Sequence, residues 1–280
     1  MRWRGARRSS NIEDRRGRRS GGLALKGGVP TILVILVAMY FGIDPTPLLQ
    51  GVQSVNVNQP AQIDPAQDEL AQMVSVVMAD TEDVWNAVFQ ANGLSYREPT
   101  PVLFSGATQS ACGMGQAAMG PFYCPADQKA YIDLSFYDDL RSRHGAPGDF
   151  AQAYVIAHEV GHHVQNLLGV SERVFRQRQS VSKTEGNRLS IMQELQADCF
   201  AGVWANRANQ LRNMIESGDV EEALNAASRI GDDTLQRQSR GRVVPESFTH
   251  GTSAQRQRWF RRGLESGNPE TCDTFSATNL

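Results

Sequence analysis

Residues 154–168 read YVIAHEVGHHVQNLL. Val155, Ile156, Val160, Val164, Leu167 and Leu168 supply apolar flanks at helical spacing, so the stretch is expected to form a buried helix. Inside it stands His158-Glu159-Val160-Gly161-His162. Positions i and i+4 lie on one face of a helix, so both imidazoles point the same way and can bind one metal ion. Glu159 lies about 100° round the helix from His158, within reach of a water on that metal. Burying two histidines and a glutamate without a partner would be costly, and a zinc ion supplies the partner. His163 is rotated off this face and is expected to pack or to hydrogen-bond rather than to ligate.

A catalytic zinc takes three protein ligands and keeps one position open. The third ligand is sought in QELQADCFAG at 193–202, where Glu194 and Asp198 are again spaced i, i+4. Zinc-bound histidines usually donate their other ring N–H to a carboxylate or carbonyl. Glu194 as ligand, with Asp198 one turn on as partner of a zinc histidine, meets both needs. The competing reading is two solvated acids on a surface helix. Leu195, Ala197, Phe200, Ala201, Val203 and Trp204 make this helix mostly apolar and argue against it.

The zinc helix is expected over 150–168, with Asp149 as N-cap, Gln152 at the capping-box position and Gly169 as stop. Further helices are expected over 187–209, 219–230 and 253–265, punctuated by Gly186, Gly218, Gly231 and the Gly251-Thr252 turn. Upstream, a helix starts at Asp64-Pro65 and stops at Gly93. Between lie two extended pieces, PVLF at 101–104 and AYIDLSF at 130–136, the second alternating so that one face is buried. The strand at 130–135 either pairs with an extended peptide, as edge strands do, or is an ordinary core strand. Helix, small sheet, then helices is an α+β order.

The 280 residues are 40% hydrophobic and 21% charged, which excludes wholesale disorder. The net charge of −2 conceals an asymmetry. Residues 1–26 carry nine bases and two acids, leaving 19 bases and 28 acids for the rest. Residues 27–43, GGVPTILVILVAMYFGI, contain no charge, and Asp44-Pro45 ends them. They read as a short membrane-spanning signal anchor, with a buried core helix and a cleaved signal peptide as rivals. The flanking charges orient it, with a basic tail (1–26) in the cytoplasm and the body in the periplasm or outside the cell. This makes the lipid bilayer a partner through 27–43, sets the protein in the inner or cytoplasmic membrane as a single-pass protein, and removes nucleic acid from consideration. Residues 44–63 read as a linker and 64–280 as the functional domain.

Four cysteines, Cys112, Cys124, Cys199 and Cys272, suggest two disulfides among three possible connectivities. Cys112 and Cys124 flank a Gly-rich loop and form the natural local pair, which leaves Cys199 with Cys272. Free buried thiols are the alternative. A zinc site of cysteines has no C-x-x-C spacing to support it.

His158-Glu159-x-x-His162 followed by Glu194-x-x-Ala197-Asp198 resembles the gluzincin metallopeptidases. The wider pattern resembles the neutral zinc metallopeptidase family of single-pass bacterial envelope proteins. It is carried by the basic N-terminus with one span, GPFYCPADQKAYIDLSFYDDL at 120–140, HEVGHHVQNLLG at 158–169, ELQADCFAGVWA at 194–205 and FTHGTSAQRQRWFRRG at 248–263. The resemblance implies a mainly helical, zincin-like α+β domain with a small β-sheet, preceded by one transmembrane helix, and it implies peptidase activity.

The ligands suggest the mechanism: zinc lowers the pKa of its water and polarises the scissile carbonyl of a protein or peptide substrate. Glu159 takes the proton and passes it to the leaving amine. The oxyanion needs a further donor, for which His250 is the candidate and Tyr154 and Arg256 weaker ones. His144, in a Gly/Pro-rich loop, has no role assigned. The alternative function is a non-catalytic envelope-binding module with structural or absent zinc, in which Glu159 would have no purpose.

Overall fold

The computed structural model describes residues 1–16 and 65–280, apart from 117–119 and 144. The first long element is helix α1, Pro65–Ala91, with Val74, Val77, Met78, Val84 and Trp85 fully buried. A small sheet follows. Strand β1 (Glu13–Asp14) pairs parallel with β2 (Thr100–Phe104), and β2 pairs parallel with β6 (Lys129–Asp133). Strand β5 (Phe122–Cys124) pairs antiparallel with β6, giving the order β1-β2-β6-β5. Strands β3 (Ala107–Ser110) and β4 (Gly113–Gln116) form a separate hairpin. The Cys112–Cys124 disulfide ties the tip of that hairpin to β5.

The helical layer runs through α2 (Ser135–Ser142), α3 (Asp149–Leu167), α4 (Val170–Arg178), α5 (Lys183–Arg212), α6 (Asp219–Arg229), α7 (Asp232–Arg240) and α8 (Ser253–Ser266). Helix α5 is its axis, packed against α3 on one side and α8 on another. The α5–α8 contact is backbone-close. A Cβ on Gly202 would overlap the Phe260 carbonyl oxygen, and one on Gly263 would overlap that of Cys199. The Cys199–Cys272 disulfide joins α5 to the chain just beyond α8. Both bridges have the expected pairing and are of the kind that forms in oxidising compartments.

The α+β expectation holds, with corrections. β6 has strands on both sides, so it is a central strand and β5 is an edge. The stretch after Asp133 turns into α2 rather than continuing the strand, because Asp133 Oδ1 accepts from the Ser135 N–H and hydroxyl and caps the turn. Asp149 is the first residue inside α3, not its cap. Helix α5 starts before Gly186, where Ser182 Oγ accepts from the Glu185 N–H. Helices α4 and α7 were not expected, because VSERVFRQR and DDTLQRQSR carry too few apolar residues to show a period.

The membrane topology is also corrected. Among the described residues no helix is long and apolar enough to cross a membrane, and the span expected at 27–43 lies outside the described residues. Residues 1–15 belong to the same compact unit as 64–280, so the basic segment is not a tail held across a bilayer from the body. A single crossing between the two would forbid this packing, which overturns the single-pass placement with a cytoplasmic N-terminus. Two arginines of the expected cytoplasmic tail instead pair with acids of α1, Arg4 with Glu69 and Arg7 with Glu82 and Asp83. Ser9 and Ser75 exchange hydrogen bonds, N–H to carbonyl at 2.9 Å and hydroxyl to carbonyl at 3.0 Å. Trp3, 6% exposed, enters the core.

Trp3→Ala therefore tests the arm. Truncating a buried tryptophan costs about 3–5 kcal/mol. Urea unfolding of the full chain should register that loss, whereas a midpoint equal to wild type would mean the arm does not stabilise the body.

Candidate metal centre

Helix α3 presents His158 and His162 one turn apart, and α5 presents Glu194 to both. Gly161 lets the helices come this close, since a Cβ there would lie 2.9 Å from the Ala197 carbonyl oxygen. Glu194 Oε2 is 3.3 Å from His158 Nε2, and Oε1 is 3.4 Å from His162 Nε2. Donor atoms of the three residues all fall within 4.8 Å of one another. Zinc with ligands at 2.0–2.2 Å in a tetrahedron spaces them about 3.3–3.5 Å apart, so this donor set fits the ion.

The outer ring nitrogens are engaged. Asp198, fully buried on α5, accepts from His158 Nδ1 at 2.8 Å and from the Tyr154 hydroxyl at 2.5 Å. Arg256, from α8, donates to both Asp198 oxygens at 2.8 and 2.9 Å. Tyr154 and Arg256, weaker candidates for the oxyanion donor, are thus committed to Asp198. His162 Nδ1 meets Gln165 Oε1 at 2.9 Å.

These contacts set the charges. Burial works against ionised Asp198, but Arg256 and His158 outweigh it and hold the carboxyl down at about 2. Burial opposes a charged His158, yet Asp198 and Glu194 raise it to about 9. Glu194 is likewise lowered well below the usual range by His162 and His158, against its burial. Glu159, also buried, goes the other way: burial raises it despite both histidines. Two neighbouring carboxyls pushed apart in this way suit one for ligation and the other for proton transfer.

The four residues line a cleft of about 540 Å³. Gly120, Pro121, Phe122 and Tyr123 form one wall, and Phe136, Val155, Ile230 and Leu235 give it an apolar side. A hollow of similar volume, about 530 Å³, lies outside α8 among Arg258, Arg261 and Arg262, away from these groups. His250 stands on the cleft rim, half exposed. Asp232 Oδ2 accepts from the N–H groups of Thr249 and His250 at 2.6 Å, and Oδ1 lies 3.2 Å from His250 Nδ1. The bond to Asp232 raises the His250 pKa against partial burial. Asp232 was not anticipated, since nothing in the linear order joins it to His250. Gln165 was not anticipated either, although its place three residues beyond His162 on the same helix is a signal that could have found it.

A second group of acids, Asp149, Asp219 and Glu222, also converges. There the Met1 ammonium donates to Asp149 Oδ1 at 2.7 Å and to Asp219 Oδ1 at 3.2 Å, so two of the three acids already have a cationic partner. His144 lies outside the described residues.

His163 is fully buried, away from the metal face as expected. Its Nε2 faces the Arg97 carbonyl at 2.5 Å, which can only accept, so Nε2 carries the proton and Nδ1 accepts from the Tyr123 hydroxyl at 2.9 Å. The ring is pushed down to about 4, chiefly by burial.

Two histidines and a glutamate with converging donor atoms, beside a second buried glutamate, form a set of the kind that could hold a zinc ion. The chain belongs to the family described as "Putative neutral zinc metallopeptidase", which matches residues 1–275. The uncharacterized protein YpfJ of Escherichia coli (strain K12) is 53% identical over 285 aligned positions, covering 98% of this chain and 99% of that protein. The uncharacterized protein Rv2575 of Mycobacterium tuberculosis (strain H37Rv) is 45% identical over 195 positions, 66% of this chain and 65% of that one. No solved structure matches the chain.

His163 makes stability pH-dependent. An unfolded histidine titrates near 6.5 and this one near 4. Between those values the unfolded chain binds more protons, so stability is full above pH 6.5 and falls as pH drops toward 4, by about 3 kcal/mol in total. Urea unfolding at pH 7 and 4.5 should show a smaller difference for His163→Gln than for wild type. Equal differences would remove His163 as the source.

Proposed function

We propose that the protein is a zinc-dependent endopeptidase. The observation that carries this reading is Glu159, a buried carboxyl with raised pKa, beside the converging His158, His162 and Glu194 in an open cleft. When bound, zinc supplies Lewis acidity to the scissile carbonyl and lowers the pKa of a nearby water. Glu159 accepts the proton that the attacking water loses and delivers it to the leaving amine nitrogen, so the C–N bond breaks to carboxylate and amine. Asp198 keeps His158 protonated on Nδ1 and so leaves Nε2 free to ligate. His250, held by Asp232, donates to the developing oxyanion. The edge of β5, which no other strand among the described residues covers, lies beside Pro121 and Tyr123 on the cleft wall and suits an extended peptide or protein substrate added as a further strand.

The test is zinc content and cleavage of casein or a peptide library by the full chain. Wild type should hold about one zinc per chain. Glu159→Gln should keep the metal and lose about 10²–10⁴ in turnover. Glu194→Ala should lose the metal, and Asp198→Asn should weaken zinc affinity or activity about 10–100-fold. A non-catalytic envelope-binding module, with structural or absent zinc, would leave every peptide intact. Stoichiometric zinc in Glu194→Ala would remove Glu194 from the ligand set.

A further inference from the structure

The two zinc histidines are supported differently. His158 leans on a charged carboxylate. His162 leans on a neutral chain of side-chain amides, and each amide in that chain can face only one way. Gln196 Nε2 donates to the Cys272 carbonyl at 3.0 Å, an atom that can only accept. That turns Gln196 Oε1 toward Gln165, whose Nε2 donates to it at 3.1 Å and to the Gln193 carbonyl at 2.7 Å. With its nitrogen so committed, Gln165 can offer His162 only its oxygen, 2.9 Å from Nδ1. Nδ1 must then carry the proton, and Nε2 presents its lone pair toward Glu194. Gln165 is fully buried and Gln196 is 8% exposed, so water does not compete for these bonds. The final acceptor belongs to a half-cystine: Cys272 is bonded to Cys199 on α5, five residues from Glu194 and three from Gln196.

We propose that Gln165 is the positioning residue of His162, and that the Gln165–Gln196–Cys272 relay, anchored by the Cys199–Cys272 disulfide, orients this ligand for the metal. The inference rests on the zinc reading above. It makes the disulfide part of the metal site's support as well as a staple for the C-terminal segment. Removal of an amide link frees the ring to adopt the other tautomer or to turn away from Glu194. Loss of such an outer partner typically costs 10–100-fold in metal affinity.

The experiment measures zinc affinity of the full chain by chelator competition, together with the visible spectrum of its cobalt(II) form. The variants are Gln165→Met, Gln196→Met and Cys199→Ser with Cys272→Ser, beside Val164→Ala as a control for core packing. Gln165→Met should bind zinc about 10–100-fold more weakly, with shifted cobalt bands. Gln196→Met and the double serine variant should shift the same bands in the same direction, by less. Val164→Ala should lower thermal stability and leave the spectrum alone. Gln196→Met, one link further out, carries the test should Gln165→Met fail to fold. Folded Gln165→Met or Gln196→Met with wild-type affinity and spectrum would overturn the relay while leaving the metal site standing. A wild-type chain that takes up neither zinc nor cobalt would overturn the metal reading and the relay with it.

Discussion

A single buried carboxylate organises the centre of this protein. Asp198 is fully buried on α5, and α3 and α8 reach it with Tyr154, His158 and Arg256. An isolated charge there would be costly, so each partner is part of what allows the others to be buried. Arg256 compensates the charge, Tyr154 and His158 take up the remaining lone pairs, and His158 gains a defined tautomer. The packing of three helices and the orientation of His158 are therefore the same set of hydrogen bonds. The backbone contacts at Gly161, Gly202 and Gly263 bring the helices near enough for those short side-chain reaches.

Around that hub, the protein matches charge by tertiary contact. The basic N-terminal arm lies on the acid-bearing side of α1, which also packs on α3 and α5, so residues 73–82 are all buried although Asp80 and Glu82 are among them. Asp80 pairs with Arg212 at the end of α5, and Glu82 with Arg7 and Ser9. The arm also supplies β1, so the sheet that carries the cleft wall begins with residues far from it in the chain. His158 and His162 are held by tertiary contact too, one by a charge network and the other by neutral amides ending at a disulfide.

Much of the site was legible because it is periodic. His158 with His162, and Glu194 with Asp198, each repeat at four residues on a helix marked by its apolar flanks, and one turn of helix carries such spacing into space unchanged. The disulfides followed from a short loop and elimination. Asp232, Gln196 and the Cys272 carbonyl were not legible, because their roles arise where separate segments meet. The arm was misread for a physical reason: a run of arginines followed by an uncharged stretch has the same charge pattern whether the arginines face solvent or acids elsewhere in the fold.

By itself, the sequence determined the residue types and helical spacings of the candidate metal site, the α+β class and the cysteine pairs, since these are local properties of short segments. Tertiary structure alone decided that Glu194 reaches both histidines, that Tyr154 and Arg256 serve Asp198, that β5 rather than β6 forms the edge at the cleft, and that residues 1–15 are part of the body. Each of these depends on distances between segments tens to hundreds of residues apart, which are set by close backbone packing and by the cost of leaving a buried charge or hydrogen-bonding group without a partner.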